Sequence, residues 1–205
     1  MAAIATLSHA LGFSMAAGVN LYATTAMLGL AARFGWVELP ERFAAFDNDW
    51  VITVALALYA VEFIADKIPW VDSVWDAIHT VVRPFGGAVI AILSFGEVTP
   101  TTEALLALLG GVVAAGAHLT KAGTRAAVNA SPEPVSNWFV SMGEDLFVVG
   151  LGILTIRYPG VALVVVSILL VCMICFFGVI SRLAWRWIGR FRSRFVAVVD
   201  GCCHR

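Results

Sequence analysis

Apolar stretches of helix length follow one another along the whole chain, at approximately 5–33, 50–67, 72–95, 103–128, 135–156 and 160–188. They are separated by short Pro, Gly and acidic breaks: Glu38-Leu39-Pro40-Glu41, Ile68-Pro69-Trp70, Gly96-Glu97-Val98-Thr99-Pro100, Ser131-Pro132-Glu133-Pro134 and Arg157-Tyr158-Pro159-Gly160. A helix needs about 20 apolar residues to cross the hydrocarbon core. In hydrocarbon every backbone polar group must be satisfied within its own segment, so such a run leaves the helix as the workable spanning structure. The expected fold is therefore all-α, a polytopic membrane bundle of about six transmembrane helices. Composition agrees, with 60% hydrophobic and 13% charged residues and a mean hydropathy of +0.91, well beyond what a soluble domain of this size uses. The net charge of -1 argues against a nucleic-acid partner.

Orientation follows from the basic residues at the end of the last segment, Arg182, Arg186, Arg190, Arg192 and Arg194, which belong on the cytoplasmic side. Six spans then place both termini in the cytoplasm, and the expected location is a bacterial inner membrane. The first residues lack the basic n-region of a cleavable signal, and Asn20 interrupts the apolar start. Cys172 and Cys175 form a C-x-x-C inside an apolar helix, where buried thiols act as small hydrophobes. Cys202 and Cys203 lie on a terminal tail open to two readings, a lipidated end or a simply frayed one.

Sliding the chain by 98 residues lays Gly12, Ala16, Ala17, Gly18 and Leu21 on Gly110, Ala114, Ala115, Gly116 and Leu119, with Asn20 falling on His118. A slightly smaller offset pairs Ile68-Pro69-Trp70-Val71 with Tyr158-Pro159-Gly160-Val161. The expectation is a single membrane domain of two three-helix repeats, 1–99 and 100–198, followed by a cytoplasmic tail, 199–205. Three helices per half reverse the entry side of the second half, which makes the repeat inverted, as in many transporters.

The polar residues inside these segments are the functional signal, because a charge near a spanning-helix centre costs roughly 2.5 to 3.5 kcal/mol even on lenient scales. Tyr59, Glu62 and Asp66 share one stripe of the second segment. Asp72, Asp76, His79 and Arg83 form a stripe on the third, opposite Val71, Val74, Ile78 and Val82. Pro84, Gly86 and Gly87 follow, so a kink or break is expected there. Whether 72–83 inserts into the membrane or lies at its interface stays open. The fourth segment carries His118, Lys121, Arg125 and Asn129 on one face, behind the small residues Gly110, Gly111, Ala114, Ala115 and Gly116. Two cations a turn apart require negative partners, for which Glu62, Asp66, Glu144 and Asp145 are candidates. Asn137 and Ser141 extend the fifth segment's stripe. Under the expected topology these ends converge on the cytoplasmic side.

The expected ion- or substrate-binding set is thus Asn20, Glu62, Asp66, His79, Arg83, His118, Lys121, Arg125, Asn129, Glu144 and Asp145. Arg125 and Lys121 suit an anionic solute, while Glu62, Asp66 and His118 suit protons or cations. No cofactor is implied. His79, His118 and the carboxylates are usable ligands for a divalent metal, although no H-E-x-x-H or similar spacing is present. The leading function is a membrane transporter or channel for a small ion or anionic solute. A membrane-embedded enzyme acting on a lipid or isoprenoid phosphate is the alternative, without a G-x-S-x-G or phosphatase-like motif to support it. A non-catalytic membrane subunit is the third. Beyond the lipid bilayer and the solute, the small residues of the first and fourth segments would suit a homo-oligomer as well as packing within one chain.

At Ala17-Gly18-Val19-Asn20-Leu21-Tyr22, at Glu62-Phe63-Ile64-Ala65-Asp66-Lys67-Ile68-Pro69 with Asp72, Trp75, Asp76 and His79, and at His118 to Asn129 followed by Pro132-Glu133-Pro134, the chain resembles a bacterial multi-pass family catalogued as domain of unknown function 4126. The resemblance implies a small integral-membrane protein and brings no activity, substrate or catalytic residue.

Overall fold

The computed structural model describes residues 2–36, 41–129 and 134–203. The connections expected over 38–40 and 131–133 lie outside the described residues, as do the side chains of Cys202 and Cys203. Among the described residues the regular structure is entirely helical: α1 (Ala2–Val19), α2 (Leu21–Arg33), a 3-10 segment (Glu41–Phe46), α3 (Asp49–Ala65), α4 (Pro69–Leu93), α5 (Pro100–Asn129), α6 (Pro134–Arg157) and α7 (Pro159–Cys203). Trp70–Leu93, Pro100–Asn129, Val135–Arg157 and Pro159–Leu183 are long and apolar enough to cross a membrane, and α1 is apolar but shorter. The molecule is a polytopic helix bundle. It divides into two compact units, Met1–Ile168 with α1 to α6 and the start of α7, and Leu169–Arg205 with the rest of α7.

The first apolar segment, expected as one helix over 5–33, is two helices. Asn20 takes an extended backbone (φ -148°, ψ 102°), and its side chain accepts from the Ala23 amide at 2.9 Å. Asparagine competes for backbone donors in this way and serves better as a helix cap than inside a helix. Hydrophobic periodicity does not register the interruption, because apolar residues flank Asn20 on both sides. The break leaves the last carbonyls of α1 without amides from their own helix.

Of the kink or break expected at Pro84, the break is absent: α4 is a continuous helix through it. Its start is set by Pro69 at the first helical position, where the missing N–H costs nothing. A proline inside a spanning helix is tolerated when neighbouring helices cover the loosened turn, and here α5 packs on that turn, with Gly111 facing the Pro84 carbonyl and Ala88. Cys172 and Cys175 are free and exposed on α7, not buried as expected.

Small residues bring α1, α4 and α5 together. A methyl at Gly18 would strike the Ala114 carbonyl and Ala117 of α5, and one at Gly87 would strike Ala114 and lie 2.9 Å from the Gly110 carbonyl. Ser14 of α1 donates to the Gly87 carbonyl at 2.9 Å across the same contact. Backbones that approach this closely hold the polar stripes of α4 and α5 in register. Beside them, Phe13, Ala17, Leu28, Ala31, Phe43, Ile90 and Ile156 form an apolar core.

Candidate functional site

The α4 stripe and the α5 stripe face each other, and α3 and α6 close the space between them with Glu62, Asp66, Asn137 and Glu144. Arg83 of α4 sits at one end, fully buried. Its Nη2 donates to Glu62 Oε1 at 2.7 Å, Nη1 lies 3.3 Å from Asp76 Oδ1, and Nη1 donates to His118 Nδ1 at 2.7 Å and to the Gly18 carbonyl at 3.4 Å. A guanidinium has only protons to offer. His118 Nδ1 is therefore the acceptor, Nε2 carries the proton and donates to Thr80 Oγ1 at 3.0 Å, and Thr80 donates onward to the Asp76 carbonyl at 3.0 Å. In this arrangement His118 is a neutral link that orients Arg83.

Lys121 and Arg125 occupy the other end. Lys121 Nζ donates to Asp66 Oδ2 at 2.9 Å and to the Val19 carbonyl at 3.3 Å, and lies 3.6 Å from both Glu62 Oε1 and Glu144 Oε2. Arg125 donates through Nε to Asp72 Oδ1 at 3.2 Å and through Nη1 to Asn137 Oδ1 at 2.7 Å and its carbonyl at 3.1 Å. Arg125 Nη2 donates to the Asp66 carbonyl. Asn129 Nδ2 donates to Asp72 Oδ2 at 2.9 Å, and Glu144 Oε2 lies 3.6 Å from Arg125 Nε. The side chains in these ion pairs are at most 14% exposed.

Arg83, Lys121 and Arg125 face Glu62, Asp66, Asp72, Asp76 and Glu144, with Asp145 close by on α6, so carboxyls outnumber cations. Glu62 Oε2, Asp66 Oδ1, Glu144 Oε2 and Asp145 Oδ2 are buried without a hydrogen-bond partner in the protein. Arg83 Nε is likewise buried without a partner; burying such groups unsatisfied is costly, and with carboxyls outnumbering cations the surplus is of negative charge. No group of three or more His, Cys, Asp or Glu among the described residues is arranged to hold a metal ion, so the expectation of a divalent metal gains no support from the geometry.

A family model described as domain of unknown function (DUF4126) matches residues 7–178. The chain belongs to this family. No curated protein and no solved structure matches it.

The DUF4126 match spans every residue of the network. Of the expected site residues, Glu62, Asp66, Arg83, His118, Lys121, Arg125, Asn129 and Glu144 form one connected set of contacts. Three have other surroundings. Asn20 caps α2, and its contribution is the chain break that frees the Gly18 and Val19 carbonyls. His79 donates through Nδ1 to the Trp75 carbonyl at 2.7 Å and receives the Tyr22 hydroxyl on Nε2 at 2.9 Å. Asp145 is buried beside Glu144 without an ion pair as close as those above.

Asp72, Asp76, Thr80 and Asn137 belong to the DUF4126 network although they were not in the expected set. The helical spacing of Asp72 and Asp76 with His79 and Arg83, and the stripe of Asn137 and Ser141, carried that signal. The two α1 carbonyls carried none.

Proposed function

We propose that this protein is a membrane transporter or channel for a small ion, and that the ion is a cation. The observation that carries this is that every basic side chain in the network already lies against anionic or carbonyl oxygen: Arg83, Lys121 and Arg125 are each bound by carboxylates and backbone carbonyls. An anionic solute would have to displace carboxylates from all of them, whereas the carboxylate oxygens left without a hydrogen bond favour positive charge. Ionisable groups buried in spanning segments are expensive, and they mark ion paths more often than they stabilise a fold.

With the α7 arginines on the cytoplasmic side of a bacterial inner membrane, the end of α3, the start of α4, the end of α5 and the start of α6 all lie toward the cytoplasm. The scaffold is read as two inverted halves, 1–99 and 100–198. In support, α1 and α5, which the internal alignment superposes, pack against each other at Gly18 and Ala114. The buried network then corresponds to an occluded form.

Liposomes containing the purified protein, given inwardly directed gradients of Na⁺, K⁺, NH₄⁺ and H⁺ in turn, should take up at least one of them. Glu62→Gln should reduce that flux at least tenfold. Movement of chloride or phosphate in place of every cation would overturn the cation assignment, and no ion movement at all would overturn transport.

A further inference from the structure

The ammonium of Lys121 lies in a cage of oxygens supplied by three other helices. Asp66 Oδ2 at the end of α3 is 2.9 Å away and the Val19 carbonyl at the end of α1 is 3.3 Å away. Glu62 Oε1 of α3 and Glu144 Oε2 of α6 are each 3.6 Å away. All four are acceptors, three of them carboxylate and one a peptide carbonyl freed by the break at Asn20. Carboxylate and carbonyl oxygens are the ligands that hard cations prefer. Glu62 Oε2 and Asp66 Oδ1, on side chains that are almost fully buried, have no hydrogen-bond partner, so these residues hold more oxygen than the ammonium uses. Arg83 balances Glu62 on one side, and Arg125 approaches Asp66 and Glu144 on the other.

We propose that this cage is a binding site for a small monovalent cation, and that Lys121 fills it as a tethered substitute in the closed form. The ammonium head is a compact point charge with three donors on a flexible stem, the closest a side chain comes to a free ammonium or alkali ion. Magnesium is a poorer fit, because it demands octahedral oxygens at about 2.0–2.1 Å. The inference deepens the cation reading above: an arriving cation exchanges places with the Lys121 head group, and the charge within the cage stays constant during the exchange.

The test is chemical rescue. Lys121→Ala and Lys121→Gln, purified in detergent, are melted in ammonium chloride, sodium chloride, magnesium chloride and choline chloride at matched ionic strength. The expected result is a saturable rise in the melting temperature of Lys121→Ala with ammonium. Its size is roughly 5 to 10 °C at a concentration about a hundredfold above its Kd. Sodium gives a smaller rise, choline and magnesium give none, and the wild type shows none with any salt. Lys121→Gln, whose amide fills part of the cage, shows a weaker response in the same order.

Equal melting curves in ammonium and choline, or an ammonium response equal in wild type and variant, would overturn the proposal. So would the failure of both variants to fold in every salt, since the cage then accepts no free cation. The melting assay has no ion gradient. Its failure would leave a measured flux standing, and a rescue would stand even if no flux were found.

Discussion

Arg83 Nη1 donates to His118 Nδ1 at 2.7 Å, and this contact sets the protonation of the imidazole. A second proton on Nδ1 would point at an N–H that cannot accept it. The closed form therefore holds His118 as the Nε2–H tautomer, bonded to Thr80. Histidine ¹⁵N spectra of the folded protein at neutral pH should show this tautomer for His118, and Arg83→Met should release it to exchange between tautomers. An imidazolium signal at neutral pH in the wild type would contradict the assignment.

The pair of Arg83 and Glu62, at 2.7 Å with both side chains fully buried, should behave as a buried ion pair. Removing one partner leaves the other charged in a dry site, which costs about 3–5 kcal/mol. Arg83→Met should lose that much in a denaturant titration in mixed micelles, and Arg83→Met with Glu62→Leu should recover part of it. A double-mutant cycle gives the coupling directly. A single-variant loss under about 1 kcal/mol would mean that water reaches the pair.

Gly18 should tolerate no side chain. A methyl there meets the Ala114 carbonyl and Ala117, whereas one at Gly143 or Gly150 meets nothing. Gly18→Ala should cost about 1–3 kcal/mol through overpacking between α1 and α5, and Gly143→Ala should be neutral or stabilising by up to about 1 kcal/mol. Melting temperatures compare the two, and equal effects would contradict the α1–α5 contact.

Lys67, in the connection between α3 and α4, offers a pH test outside the spans. Its Nζ donates to the Phe63 carbonyl at 2.9 Å and to Ser141 at 3.3 Å, and lies 3.1 Å from the centre of the Phe63 ring. Partial burial lowers its pKa below the ordinary lysine value of 10.5, against the opposing pull of Asp145 and Asp66. The unfolded chain therefore keeps this proton to higher pH than the folded one, so the Lys67 contribution disfavours folding at neutral pH. That penalty fades as pH rises toward 10.5. Lys67→Met should flatten the alkaline rise in stability and change neutral-pH stability by less than about 1 kcal/mol, because the group is only partly buried and solvent screens it. An unchanged pH profile would show that Lys67 titrates alike in both states.

Much of the site was legible because helical spacing is periodic. Asp72, Asp76, His79 and Arg83 on one helix, and His118, Lys121, Arg125 and Asn129 on another, mark stripes whatever they face. Pairing was less legible. Arg125 was expected to meet Glu62, Asp66, Glu144 or Asp145, and its closest carboxylate partner is Asp72, which the start of α4 presents beside Asn129. The break at Asn20 was obscured by the apolar residues around it, and with it the role of the Gly18 and Val19 carbonyls, since a backbone oxygen has no signature in residue identity.

By itself, then, the sequence determined an all-helical membrane chain with charged stripes on particular helix faces, because length, hydropathy and the 3.6-residue period are local properties. Only the tertiary structure decided which stripe meets which. The rotation of α1, α4 and α5 against one another comes from close contacts at Gly18, Gly87 and Gly110, and with α3 and α6 packed alongside, Arg83 meets Glu62 and Lys121 is surrounded by oxygens from α1, α3 and α6. Such contacts join residues far apart in the chain, and no local pattern encodes the angle at which two helices meet.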